Sequence, residues 1–371
     1  MHIRQKGNCR LKVNKLHKEG MIVRMEREAL ILKKSALRDW VETLRRDYMV
    51  FAPVKGKMEY NFREVSPEVD FTLEYTRTII PPKKFLHPQK EQLVAYRRDN
   101  GTEWKLPEIK QKSVVLGVHP CDARAMMVYD VVFGGDLPDP YYWNRRKNTI
   151  IVAVTCTVPD EDCFCLSWDK CGPTLNDKGY DLLLTDIGDS YLIELGSLEG
   201  SLLVQSELFT KAAPSDREKK VITVQATCNK IKKQLPDAQH IPEFLEKHYD
   251  DKAWDVETKK CVSCGTCTLV CPTCFCYHVE DFNRWNIKDG ERVRIWDSCQ
   301  LIDFAEVAMG ENFRKDRGAR LKWRIYHKLA HWPEQFGTLG CTGCGRCMHY
   351  CIADIDMTET IDVIRGGKVH A

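Results

Sequence analysis

Two stretches of this 371-residue chain share one cysteine spacing, C-x2-C-x2-C-x3-C: Cys261, Cys264, Cys267 and Cys271, then Cys341, Cys344, Cys347 and Cys351. Thiols this close along a chain suit metal ligation better than disulfides. The spacing wraps three thiolates around one corner of an iron–sulfur cube, and the fourth cysteine reaches a second cube when two runs are present. The pattern therefore predicts two [4Fe-4S] clusters with crossed ligands. Cys261, Cys264 and Cys267 join Cys351 on the first, and Cys341, Cys344 and Cys347 join Cys271 on the second. Gly265 and Gly345 fall between the second and third ligands, where the backbone must turn tightly and offer N–H groups to sulfide. Pro272 completes the C-P signature of the first run, whereas Ile352 stands there in the second. Zinc sites favour paired C-x2-C knuckles, a poor match to a repeated three-plus-one run.

The rest of the composition limits where such a chain works. A disulfide scaffold with eighteen cysteines would be short and exported. This chain is long, and MHIRQKGNCRLKVNKL at its start lacks the apolar core of a secretory signal. No run approaches the roughly 18 apolar residues of a membrane span, and mean hydropathy is −0.41. A cytoplasmic protein without a membrane partner is expected. The net charge of +3 gives no support to nucleic-acid binding.

The length predicts two domains. Leu37, Trp40, Val41, Leu44 and Tyr48 recur at helical spacing after Ser35. SVVLGV (Ser113 to Val118), a helical DARAMMVYDVVF and TIIVAV (Thr149 to Val154) form a strand–helix–strand unit. A hairpin is expected around Asp186 to Asp189, and VITVQA (Val221 to Ala226) reads as one more buried strand. Residues 1–245 are thus expected to form an α/β domain. Residues 246–371 are expected to form a mainly helical two-[4Fe-4S] ferredoxin-like domain with a charged insert at about 277–340, entered through a helix over Ile241 to Trp254.

A third group of thiols is distributed differently. Cys121 follows the first strand of the βαβ unit and Cys156 the second, at the carboxyl edge where α/β sheets place ligands. The next loop adds Cys163, Cys165 and Cys171, so five thiols converge where one more four-ligand site would fit. Cys9, Cys228 and Cys299 read as small buried hydrophobes. Cys274 and Cys276 lie close to a cluster without an assigned role. His119 and His278 read as hydrogen-bonding neighbours of cysteines, and the basic stretch Arg314 to Arg324 as a solvated helix face or docking surface. There is no G-x-G-x-x-G and no P-loop, so dinucleotide binding is unsupported.

Several motifs in order resemble a known family. PPKKFLHPQKEQL, GVHPCDARAMMVYDVVF, CTVPDEDCFC, CVSCGTCTLVCPTCFCYHVED, RVRIWDSCQ, ENFRKDRGARLKWRIYHK and CTGCGRCMHYC look like the dicluster iron–sulfur subunit of anaerobic sulfite reductase and the beta subunit of sulfhydrogenase. The resemblance favours Cys121, Cys156, Cys163 and Cys165 as ligands of a third [4Fe-4S] cluster, because the family pattern ends in C-x-C. Cys171 is then an extra. It also implies a relay subunit between a flavin-containing partner similar to ferredoxin–NADP reductase and a catalytic subunit such as sulfite reductase, NiFe hydrogenase or a heterodisulfide-reductase-like protein. The flavin is expected on the partner. The alternatives are a redox enzyme whose α/β-domain cluster binds substrate, and a nucleic-acid-binding protein with structural clusters.

Overall fold

The computed structural model describes residues 29–366 except 99–101, 108–110, 169–171, 177–178, 236 and 287. Cys9 and Cys171 lie outside the described residues. Among the described residues, twelve strands make two sheets. They are β1 (Ala29–Lys33), β2 (Met49–Lys55), β3 (Tyr60–Glu64), β4 (Lys90–Arg98), β5 (Thr102–Lys105), β6 (Ser113–Val118), β7 (Thr149–Val154), β8 (Leu182–Asp186), β9 (Ser190–Leu195), β10 (Phe209–Lys211), β11 (Tyr277–Asn283) and β12 (Asp289–Trp296). The larger sheet runs β10-β1-β9-β8-β7-β6-β2-β3. Its centre, β2-β6-β7-β8, is parallel, and both flanks are antiparallel.

The near-continuous apolar runs of β6, β7 and β8 follow from burial on both faces. Val114, Leu116, Ile150, Val152, Leu182 and Leu184 join one core with Trp40, Val41 and Leu44 of the helix Leu37–Leu44. Their alternates Val115, Ile151, Ala153 and Leu183 pack under Met126 and Tyr129 of the helix Pro120–Val132. The strand–helix–strand unit and the hairpin of β8 and β9 lie as expected.

Two expectations are corrected. Val221 to Ala226 is not a strand but the middle of the helix Pro214–Lys230. Pro214 opens that helix and the Asp216 carboxylate accepts from Ala213 N at 3.0 Å. Val221 and Ile222 stay 67% and 68% exposed, so the β-branched run had no buried face to fill. The segment entered at Ile241 is two helices, Ile241–Lys247 and Trp254–Lys260. Asp251 splits them by accepting from Ala253 N at 2.8 Å.

The smaller sheet runs β11-β12-β4-β5. The charged insert therefore supplies a hairpin, β11 and β12, which pairs through β12 with a strand from early in the chain. A short helix lies within each cysteine run and carries its third cysteine, Thr266–Leu269 and Arg346–His349. The helix Arg317–Tyr326 continues through a π-turn, His327–His331, into Trp332–Phe336. This rod packs Ile325, Tyr326 and Leu329 against Leu245, Trp254 and Ile361, and also against Phe164 and Trp168 of the loop after β7. Among the described residues no helix is long and apolar enough to cross a membrane.

Candidate metal centres

The end of β6 aims the first cysteine of the sheet edge. Its register with β7 slips between Leu116 and Val118, and Gly117 takes φ +84° there. An added Cβ would meet Leu73 Cδ2 at 2.9 Å. The Gly117 carbonyl accepts from the Tyr75 hydroxyl at 2.7 Å, and the Tyr75 ring stacks on His119 with centroids 4.0 Å apart. His119 is therefore locked beside Cys121. Burial, and Arg346 after it, lower its pKa to about 3, so the imidazole is neutral.

Cys156 follows β7 on the adjacent strand end, and its N–H donates to Pro173 O at 2.8 Å. Arg124 pins the returning leg of that loop by donating to Gly172 O and Thr174 O at 3.1 and 2.6 Å. Asp160 turns the loop tip by accepting from Asp162 N at 2.9 Å. The result is a cavity of about 440 Å³ whose walls include Cys121, Cys156, Cys163 and Cys165. All four thiols of the third group that the resemblance singled out thus come together.

The crossed pairs are also brought together. Cys261, Cys264 and Cys267 share a cavity of about 430 Å³ with Cys351. Cys341, Cys344 and Cys347 share one of about 320 Å³ with Cys271. The two runs repeat each other locally. Gly265 and Gly345 hold φ +79° and +72°, and in each run the N–H two residues after the first cysteine faces its sulfur, Ser263 N to Cys261 and Gly343 N to Cys341, both at 3.4 Å. Such N–H···S bonds favour a negatively charged sulfur.

Neighbouring cavities share wall residues. Cys347 lines both the first and the second, and Cys344 lines both the second and the third. The loop carrying Cys163 lies directly on the second run, with Phe164 N donating to Gly343 O at 2.9 Å. Gly345 is required at this contact, since a Cβ would sit 2.4 Å from Asp162 O.

Sequence reasoning missed the buried cations. Arg346, between two cysteines of the second run, makes a bidentate pair with Asp122 at 2.6 and 2.8 Å, and its Nε donates to Thr78 O at 2.8 Å. The pair ties the second run to the residue after Cys121. Arg324 lines the first and second cavities and Lys328 the second. The basic stretch is therefore not simply a solvated face: Arg320 and Arg324 are buried, and Arg314 lies over the Trp323 ring at 4.5 Å. A signal existed, because Arg324 and Lys328 interrupt the apolar stripe Leu321, Ile325, Leu329 at helical spacing. His278 fits its expected role, its Nδ1 3.1 Å from Asp297 Oδ2.

These residues fit an anionic, thiolate-bound group. Burial pushes the Cys156, Cys267 and Cys344 thiols up to about 12, so ionised sulfur there needs positive charge beside it. Arg324 Nε is buried without a hydrogen-bond partner. Burial works against that cation, yet the thiols of Cys267, Cys347, Cys274 and Cys271 hold its pKa well above the ordinary value. Iron bound by these sulfurs as an anionic cluster satisfies both.

Comparisons with known proteins agree. Residues 260–355 match the family described as a 4Fe-4S dicluster domain. Over 323 residues the chain is 35% identical to the sulfhydrogenase 2 subunit beta of Pyrococcus furiosus, covering 86% of this chain and 93% of that protein. No solved structure matches the chain. With both cysteine runs inside the dicluster match and the likeness spanning most of both proteins, the chain belongs to the family of dicluster iron–sulfur electron-transfer subunits that includes sulfhydrogenase subunit beta.

Proposed function

We propose that this protein is a three-station electron relay. In this reading Cys261, Cys264, Cys267 and Cys351 hold the first [4Fe-4S] cluster, and Cys341, Cys344, Cys347 and Cys271 the second. Cys121, Cys156, Cys163 and Cys165 hold the third. The third belongs to an α/β domain of residues 1–245, and the pair to residues 246–371. The observation that carries the reading is the shared walls: Cys347 between the first two cavities and Cys344 between the last two. Bound there, the clusters supply one-electron transfer across short gaps.

The protein's own part is positioning and charge. Arg324 and Lys328 offset negative charge at the pair, and the Asp122–Arg346 bridge fixes the third site against the second run. Cys264 is exposed, and Val262 and Ile352 beside it are 51% and 72% exposed, so the first station lies nearest a docking partner. A flavoprotein that oxidises NAD(P)H is the fitting donor or acceptor at one end, because a two-electron hydride carrier needs a flavin to meet one-electron stations. For the other end, the relative's name points to a hydrogenase or reductase catalytic subunit, in a cytoplasmic complex.

Iron and sulfide counts on the anaerobically purified chain test this. Cys156→Ala should lower the iron content by about four per chain while leaving the pair intact. An unchanged count removes the third station. Cys261→Ser and Cys351→Ser should alter the paramagnetic signature of the same cluster, and Cys271→Ser that of the other. If Cys271→Ser instead matches Cys261→Ser, the ligands do not cross.

A further inference from the structure

Three cysteines outside the twelve ligands above converge on a fourth cavity. The hairpin register pairs Tyr277 with Trp296, so Cys276, just before β11, and Cys299, just after β12, meet at its base. Asp297 N donates to Cys276 O at 2.9 Å and closes that base. Cys274 is fixed from the α/β side, where its carbonyl accepts from Lys83 Nζ at 2.8 Å and from the Tyr129 hydroxyl. Cys274, Cys276 and Cys299 line one cavity. Cys274-x-Cys276 also repeats the C-x-C of Cys163 and Cys165.

The opposite wall of that cavity is cationic and comes from the π-turned rod. Arg324 and Lys328 both face it, and both also line the second cavity. Lys328 Nζ bonds neutral oxygens, Thr273 Oγ1 at 2.8 Å and Gly340 O at 3.1 Å. Two buried cations beside three thiols favour ionised sulfur, the form in which cysteine binds metal. The one His/Cys/Asp/Glu group among the described residues whose ligand atoms all lie within 4.8 Å of one another is Asp160, Asp162 and His349. The three sulfurs do not all share one such shell: the Cys276 and Cys299 thiols are hydrogen-bonded to each other, and the Cys274 thiol to that of Cys271, the last cysteine of the first run. His327 is a further metal-binding side chain on the wall.

We infer that Cys274, Cys276 and Cys299 hold a fourth iron–sulfur cluster, with His327 as the remaining donor. It stands beside the second station, sharing Arg324, Lys328 and Thr273 with it, and forms a branch off the relay.

The test uses the full chain, purified anaerobically, with iron and acid-labile sulfide counted per chain. In a Cys156→Ala background the sheet-edge site is removed whether or not it binds iron, so this measurement stands apart from the three-station reading. That variant should hold about twelve irons, and about eight would overturn the fourth cluster. Adding Cys276→Ser and Cys299→Ser should remove about four irons and about four sulfides. Loss of zinc in place of iron, or no loss, would refute it. His327→Ala should change the spectrum of the cluster that Cys276→Ser removes, and identical spectra would exclude the imidazole as a donor.

Discussion

The Asp122–Arg346 bridge gives the sharpest energetic prediction. Both side chains are 1% exposed, the guanidinium grips both carboxylate oxygens at 2.6 and 2.8 Å, and Arg346 Nε is committed to Thr78 O. In Asp122→Ala the guanidinium stays buried and loses its carboxylate. Breaking a buried pair from one side costs about 3–5 kcal/mol. At roughly 2 °C per kcal/mol for a chain of this size, the midpoint of thermal unfolding should fall by about 5–10 °C. Anaerobic circular dichroism measures the midpoint, and absorbance of the bound clusters reports whether the second and third sites empty in the same transition. Asp122→Leu with Arg346→Met removes both charges, and its loss should be smaller than the sum of the two single losses by at least about 2 kcal/mol. A midpoint within about 2 °C of the parent for Asp122→Ala, or additive losses in the cycle, would show that the two ends do not act as one buried pair.

Other outcomes follow from single residues. Arg324→Gln removes a cation that faces the thiols, which penalises the more negative reduced state. At about 1–2 kcal/mol of interaction, the midpoint potential of at least one cluster should fall by about 40–90 mV in a dye-mediated titration. An unchanged or raised potential would contradict the electrostatic role. Burial and then Arg294, Lys83 and Arg145 lower the His87 pKa to about 3, below its unfolded value of 6.5. The unfolded chain therefore binds the extra proton between those values, and stability falls as pH drops below 6.5, by about 2 kcal/mol at pH 5 from this group. His87→Leu should flatten that part of the pH–stability curve, and an unaltered slope would exclude His87 as its source. Gly345→Ala places a Cβ against Asp162 O at a φ of +72°. Iron should be lost first from the sheet-edge site, and full occupancy there would mean the loop does not depend on this contact.

Much of the candidate site was legible because its signals are local. A cluster run needs its thiols within a few residues, so Cys261 to Cys271 and Cys341 to Cys351 declare themselves by spacing alone. The double-sided burial of β6 and β7 is written as SVVLGV and TIIVAV, and it carries Cys121 and Cys156 to one edge. The error at Val221 to Ala226 has the opposite cause: β-branched residues suit a strand only when a sheet neighbour covers them, and here Asp216 caps a surface helix instead. Nor does local spacing say which sites touch. Arg346 meets Asp122 from 224 residues away, and Cys276 meets Cys299 only because a hairpin folds between them. Candidate ligands are thus legible at short range. The adjacency of the thiol cavities, the buried cations between them and the fourth thiol cavity arise from packing, because a charge or a thiol far along the chain becomes a neighbour only when the tertiary fold excludes the water between them.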